Sequence, residues 1–335
     1  MHVRLFIVAA VALAAAAALD AAPASSERPA PPVLVPLGPA RKPGPSPAPK
    51  PAPTTQPAPQ PPPAQPALRI EWRTDLAAAL REAAAAGRPV LIYFHADWCQ
   101  PCRLMDSATF VNRAVADYIG RNFVPVRVDD SKEASAVSKK YDIRIYPSIL
   151  LLSGAGEPLH MVLFPRTAAE LYPILEKMAA MPGLIEAHKN APDDLEANFR
   201  LGEAWAGLDH FRRAEPFLAR AAALDPKNEK GRLVPARLML ALVPLEDGDA
   251  AAAIGNLRRF AEDFKDSPEA PTALYAIGTI LVRDNRFKEA RDAFEEVRTR
   301  FPKHARAYEA DKAIDSIDAR LGAPGRTAAD PAARK

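Results

Sequence analysis

Along this 335-residue chain the hydrophobic positions follow one rule from residue 68 to 181 and another from 182 to 321. In the first stretch, short β-branched and aromatic runs alternate with segments of helical spacing. Thr74 is placed to cap a helix through Leu76 and Leu80 that Gly87 ends. Residues 89–95 (PVLIYFH) read as a buried strand, after which Leu104, Met105 and Phe110 take up helix-like spacing. A helical piece over 112–119 precedes a strand over 123–128 that runs into Asp129 and Asp130. Ala134, Val137 and Tyr141 then fall at helical spacing in the polar segment 131–141. Strands at 149–152 and 161–163 flank a turn at 154–156, and Thr167 opens a closing helix expected to reach about Ala180. The order β-α-β-α-β-β-α predicts an α/β domain with a mixed central sheet.

From residue 182 the strand-like runs stop. Leu201, Gly202, Trp205, Ala214, Leu218, Ala221 and Pro226 recur at the same internal spacing as Ile277, Gly278, Leu281, Ala290, Phe294, Val297 and Pro302. This is the pattern of stacked helix pairs, in which small residues let helices approach and large apolar ones fill between them. There is room for a middle pair, with Ala253, Leu257 and Phe260 in its second helix and Pro244 interrupting its first. Residues 305–321 suit a capping helix, and 322–335 read as a disordered tail.

Ahead of both regions, Arg4, an apolar run over 5–19 and Ala22-Pro23-Ala24 read as a secretory signal peptide spanning 1–24. A retained membrane anchor is the alternative reading of the same run. No cysteine stands directly after it, which excludes a lipoprotein anchor. The Pro/Ala-rich segment 25–67 has too few large apolar residues to build a core, and reads as a polyproline II spacer or a disordered linker.

With 44 Lys+Arg against 41 Asp+Glu the net charge is +3, which argues against a nucleic-acid partner and a polybasic membrane surface. The chemistry therefore rests on Cys99 and Cys102, which are its two cysteines. A four-thiolate zinc site would need a second pair, and the six histidines lack ligand spacing, so neither a metal nor a cofactor is expected. A purely structural staple is the other reading, but a loop so short constrains little chain. A Cys-x-x-Cys that closes a strand and opens a helix sets its first sulfur against unpaired N–H groups, which favours the thiolate. Cys99 is thus expected to attack a disulfide and Cys102 to resolve the mixed disulfide.

Residues 96–102 (ADWCQPC) resemble the active-site motif of the thioredoxin superfamily, and 141–148 (YDIRIYPS) resemble its second signature. The resemblance covers about 68–181, and residues 89–110 look most like the modules of exported thiol:disulfide interchange proteins. It implies that Trp98, Gln100 and Pro101 support the active site, that Pro147 is cis, and that Tyr146 and Pro147 contact substrate. It also implies disulfide-containing exported clients, an unidentified thiol donor and a bacterial periplasmic location. Pro101 resembles the residue of reducing members. The repeats resemble tetratricopeptide domains, which bind peptides or proteins; the alternative is that they only extend or dimerise the redox module. One departure stands out. Thioredoxins carry an acid six positions before the first cysteine, and here Tyr93 stands there. His95, on the same strand face as Leu91 and Tyr93, is either a substitute base or a packed strand-end histidine. Tyr93 also favours an alternative function, a tethered scaffold whose thioredoxin-like domain only docks partners.

Overall fold

The computed structural model describes residues 69–322; the expected leader (1–24), the Pro/Ala-rich segment (25–67) and the tail beyond 322 lie outside the described residues. Helix α1 (Leu76–Ala86) begins at Asp75, whose carboxylate accepts the N–H groups of Ala77 and Ala78, so the cap is Asp75 rather than Thr74. Both residue types can cap; the position directly before the first helical residue decides. Gly87 closes α1 in the left-handed conformation, φ +63°, which costs glycine nothing sterically.

Then follow β1 (Val90–His95), α2 (Gln100–Leu104), a π-helical turn (Met105–Thr109), α3 (Arg113–Asn122), β2 (Val124–Asp129), α4 (Ala136–Lys140), β3 (Ser148–Leu152) and β4 (Pro158–Leu163). The sheet order is β2-β1-β3-β4, with β1 parallel to β2 and antiparallel to β3, and β3 antiparallel to β4. All six residues of β1 are buried, because this central strand is covered on both faces. Leu91 and Tyr93 enter one core, while Val90, Ile92 and Phe94 enter the other with Ala79 and Ala83 of α1. The expected helix over 131–141 shrinks to the five residues of α4. Asp130 takes hydrogen bonds from the Ser135 N–H and the Ser138 hydroxyl, so the preceding residues form a loop around the carboxylate instead.

Helix α5 (Ala168–Asn190) opens with a Thr167/Glu170 capping box. It does not stop near Ala180 but continues through Pro182 and Gly183. Leu171, Leu175, Met178 and Met181 form its buried stripe, and the helix packs against α3 and α6. Tertiary burial on that scale outweighs the intrinsic penalty of about 3 kcal/mol for an interior proline.

The repeats follow as α6 (Leu195–Ala206) with α7 (Phe211–Leu224), α8 (Leu233–Leu240) with α9 (Ala250–Asp263), α10 (Ala270–Arg283) with α11 (Phe287–Arg300), and the final α12 (Ala305–Arg320). The recurrent glycines sit where helices touch. A Cβ on Gly202 would lie 2.7 Å from Leu218 Cγ, and one on Gly278 would lie 2.6 Å from the Phe294 ring. Pro244 falls in a 3-10 turn (Val243–Leu245), which is why the first helix of the middle pair is short.

One hydrophobic core runs from Leu91, Tyr93 and Phe110 through the α5 stripe to Phe199, Trp205 and on to Ile317. A polar seam reinforces it at the sheet edge. Arg213 donates to the Leu159 carbonyl of β4 at 3.2 Å, and His160 Nδ1 meets His210 Nε2 at 2.9 Å. Edge strand β4 is thereby partly covered by the turn between α6 and α7.

Asp209 in that turn has φ +63° and a buried Oδ1 with no hydrogen-bond partner. Burial pushes its carboxyl up to about 7, against the opposing pull of Lys177 and Arg166. A carboxyl raised in the folded state opposes folding most at pH above its folded value, and the penalty fades as pH falls toward the unfolded value of about 3.9. Asp209→Asn is therefore expected to stabilise the chain, on the order of 2 kcal/mol at pH 8, with a smaller gain at pH 5. Urea unfolding at the two pH values measures this, and an equal gain at both would contradict it.

Candidate active site

Strand β1 ends at His95, and the turn Ala96-Asp97-Trp98 delivers Cys99 to the cap position of α2. The two cysteines are disulfide-bonded, with Cα atoms 5.3 Å apart, and Cys99 Sγ accepts the Cys102 N–H at 3.1 Å. Pro101 lies in the first turn of α2, where its missing N–H leaves no bond unmade. Arg103 reaches back to the Asp97 carbonyl and fastens the turn. Cys102 is fully buried, whereas Cys99 keeps 4 % exposure, so Cys99 is the sulfur a second disulfide can approach.

Around the pair the surface is apolar. Trp98 is 63 % exposed, and its ring stands edge-on to Tyr146 at 5.5 Å. Leu104 is 61 % exposed and, with Gln100, Pro101, Arg103, Ser107 and Pro165, lines a cavity of about 510 Å³. The Tyr146–Pro147 peptide is cis, and Tyr146 packs against Ala96, Cys99 and Cys102 while Pro147 is buried behind it. The structure thus gathers Trp98, Gln100, Pro101 and Tyr146 around the two sulfurs.

Sequence reasoning passed over the group that fixes Tyr146. Its hydroxyl donates to Asp130 Oδ2 at 2.8 Å. Burial raises the Asp130 carboxyl, but bonds from Ser138, from the Ser135 backbone and from Tyr146 outweigh this and hold it below the ordinary carboxylate value. Burial, with the bond to Asp130, pushes the Tyr146 phenol up to about 12. The partners are far apart in sequence, and the nearest signal was an aspartate at the end of a strand followed by spaced serines.

Beneath α2, the Tyr93 hydroxyl donates to the Cys102 carbonyl at 3.3 Å. Burial, then the nearby Asp106, raises its pKa far above the ordinary phenol value, so it remains a neutral donor. His95 stacks on Tyr93, and its Nδ1 lies 3.3 Å from Arg127 Nη2. Burial and the Arg127 charge lower its pKa. Since a guanidinium can only donate, Nδ1 is the acceptor and the ring's proton sits on Nε2. His95 therefore matches the packed strand-end reading, with its acceptor nitrogen already engaged. A ligand atom of His95, one of Asp97 and one of Asp129 lie within 4.8 Å of one another. A cation there would have to face Arg127, and Asp129 Oδ1 already accepts the Ser131 N–H at 2.9 Å.

A cysteine pair at a helix tip, with the first cysteine less deeply buried than the second, can pass two electrons to or from a disulfide by successive exchange. The thioredoxin-like family profile matches residues 71–154, and a tetratricopeptide-repeat profile matches 272–304. A thioredoxin-like protein of Synechocystis is 30% identical over 88 residues, which cover 26% of this chain and 79% of that protein. This chain belongs to the thioredoxin family. Its thioredoxin-like module is also 29% identical over 103 residues to the thiol:disulfide interchange protein DsbD of Ralstonia nicotianae. That match covers 29% of this chain and 17% of the relative, so the chain spans only a small part of that relative's length. Among solved structures, a thioredoxin from Thermus thermophilus aligns with TM-score 0.32 and 25% identity, over 37% of this chain and 97% of that one. The thioredoxin-like module carries the Cys-x-x-Cys pair of a thiol:disulfide oxidoreductase.

Proposed function

We propose that this chain is an exported thiol:disulfide oxidoreductase that reduces disulfides of client proteins, with the helical repeats holding a partner. The observation that carries this reading is the placement of the pair, with Cys99 capping the tip of α2 at 4 % exposure and Cys102 fully buried one turn behind it. In the dithiol form, Cys99 thiolate attacks a client sulfur; the Cys99–client bond forms, the client disulfide breaks, and one client thiolate leaves. Cys102 thiolate then attacks Cys99, forming the Cys99–Cys102 disulfide and releasing the second client thiol. Two electrons have passed to the client, and an external thiol donor returns them.

Trp98, Gln100 and Pro101 frame the exchange, and Tyr146 and Pro147 receive the client chain. Pro101 favours the reducing direction by its resemblance to reducing family members. The sequence pattern over 1–24, read as a leader, is the ground for export to a bacterial periplasm, with a membrane tether if that segment is retained. Among the described residues no helix is long and apolar enough to cross a membrane. For the repeats, a cavity of about 220 Å³ lined in part by Arg237, Asn256, Arg259 and Phe260 offers a place for a peptide side chain. The scaffold alternative drew on Tyr93, which here sits fully buried and bonded to the Cys102 backbone.

Cys102→Ser removes the resolving thiol and should strand clients on Cys99. Expressed in an exporting bacterium, the variant is expected to accumulate mixed disulfides that dithiothreitol releases. An empty trap with Cys99 open to alkylation would overturn the reading.

A further inference from the structure

Ala96, Cys99 and Cys102 form a small buried cluster separate from both large cores. Among the described residues, Tyr146 is the one partly buried apolar side chain packed against it. The ring gains little support on its outer side, because Trp98 is itself largely exposed and meets it only edge-on. What fixes the ring is its hydroxyl, which donates to Asp130 Oδ2 at 2.8 Å. Asp130 is in turn held from three sides. Its Oδ1 accepts the Ser135 N–H at 2.7 Å, its Oδ2 also accepts the Ser138 hydroxyl, and its own N–H donates to the His95 carbonyl at 2.9 Å. His95 ends β1 four residues before Cys99, so Asp130 ties the strand that carries the cysteine turn to the side chain lying against the sulfurs. A buried carboxylate with its oxygens bonded in this way is a rigid anchor. A phenylalanine would pack at position 146 as well; what the hydroxyl adds is a fixed position for the ring.

We propose that Asp130, acting through the Tyr146 hydroxyl, holds that ring as a cover on the cysteine pair and makes the pair selective for sulfurs carried on protein chains over small free thiols. Asp130 is a positioning residue and Tyr146 is the cover. The pair is nearly closed, with Cys99 4 % exposed and Cys102 fully buried, so a small movement of the ring changes what reaches Cys99. A protein chain brings contacts with exposed Trp98 and with the cavity lined by Leu104 and Pro165, and these offset the cost of shifting the cover. A small free thiol brings few such contacts and reacts only in the fraction of molecules whose ring has moved aside. The proposal deepens the oxidoreductase reading and rests on it for the protein-chain half of the selectivity.

Two rates on the full-length protein test it. In the first, glutathione reduces the oxidised pair. One glutathione thiolate attacks Cys99, forming a mixed disulfide and releasing Cys102, which takes up a proton. A second attacks the glutathione sulfur of that mixed disulfide, releasing oxidised glutathione and the Cys99 thiolate, so two electrons enter the pair. In the second, the dithiol form reduces insulin, and the two electrons leave the pair for an insulin disulfide. Alkylation of quenched samples reads the state of the pair in both. Tyr146→Phe keeps the ring and removes its tie to Asp130. It is expected to speed the glutathione reaction at least about fivefold, because a bond to a charged acceptor held the covered state, while the insulin rate stays equal or falls. Asp130→Asn should shift the ratio of the two rates in the same direction by less, since an amide still offers Tyr146 a neutral bond. The double variant should match Tyr146→Phe, because both changes act through one contact. Rates that fall together, rise together or stay unchanged in Tyr146→Phe would overturn the proposal, as would a double variant in which the two shifts add. If Asp130→Asn does not fold, Tyr146→Phe decides alone. A native protein that leaves insulin intact would instead sink the oxidoreductase reading, and the glutathione rates would still decide whether Tyr146 is a cover.

Discussion

Serine at position 99 is expected to bring disulfide reduction, driven by dithiothreitol, down to the uncatalysed rate. A fall of at least about a thousandfold follows from the loss of the nucleophile itself, because a serine hydroxyl is not ionised by a helix tip and forms no disulfide. Cys102 cannot stand in for it, since that side chain is fully buried on the inner face of α2. Stability should hardly change, because the disulfide closes a loop of two intervening residues and removes little entropy from the unfolded chain. The thermal midpoint of Cys99→Ser should therefore match that of the reduced native protein, which separates lost chemistry from lost fold. A variant that keeps the native rate would leave the thioredoxin-like module as a docking surface.

The parts of this molecule that were legible in the sequence are those whose causes are local. The run 89–95 had to be a strand because β-branched and aromatic residues crowd it, and its alternation correctly set Leu91 and Tyr93 on one face. Gly202 and Gly278 announced helix contacts because only a missing Cβ admits Leu218 and Phe294 so close. What stayed hidden depends on partners far along the chain. The end of α5 could not be read, because Pro182 looks like a stop until α6 is known to pack on the preceding turns. The support for the site was hidden for the same reason: Asp130 holding Tyr146 and Arg127 holding Asp106 are pairings across the fold. Local pattern located the sulfurs, and tertiary packing supplied the groups that set their surroundings.

A chain cut after Met181 is expected to be far less stable than the whole, although the sequence change at residue 182 invites that cut. Leu171, Leu175, Met178 and Met181 are all fully buried on α5, between α3 and α6. Removing the repeats uncovers the α6-facing part of that stripe and strips β4 of its contacts from His210 and Arg213. Re-exposing a buried Leu or Met costs roughly 1.5–3 kcal/mol, so two or three such residues rival the entire stability of about 5–15 kcal/mol typical of a domain. The piece 68–181 should melt at least about 10 °C below the full chain or fail to fold. The full chain should show one cooperative transition, with the fluorescence of Trp72, Trp98 and Trp205 following the same curve as helical circular dichroism. Two separate transitions, or a piece 68–181 as stable as the whole, would contradict the continuous core. The repeats would then be a passenger on the redox module, whereas a single transition makes any partner bound to them a ligand of the same folded unit that holds Cys99 at the tip of α2.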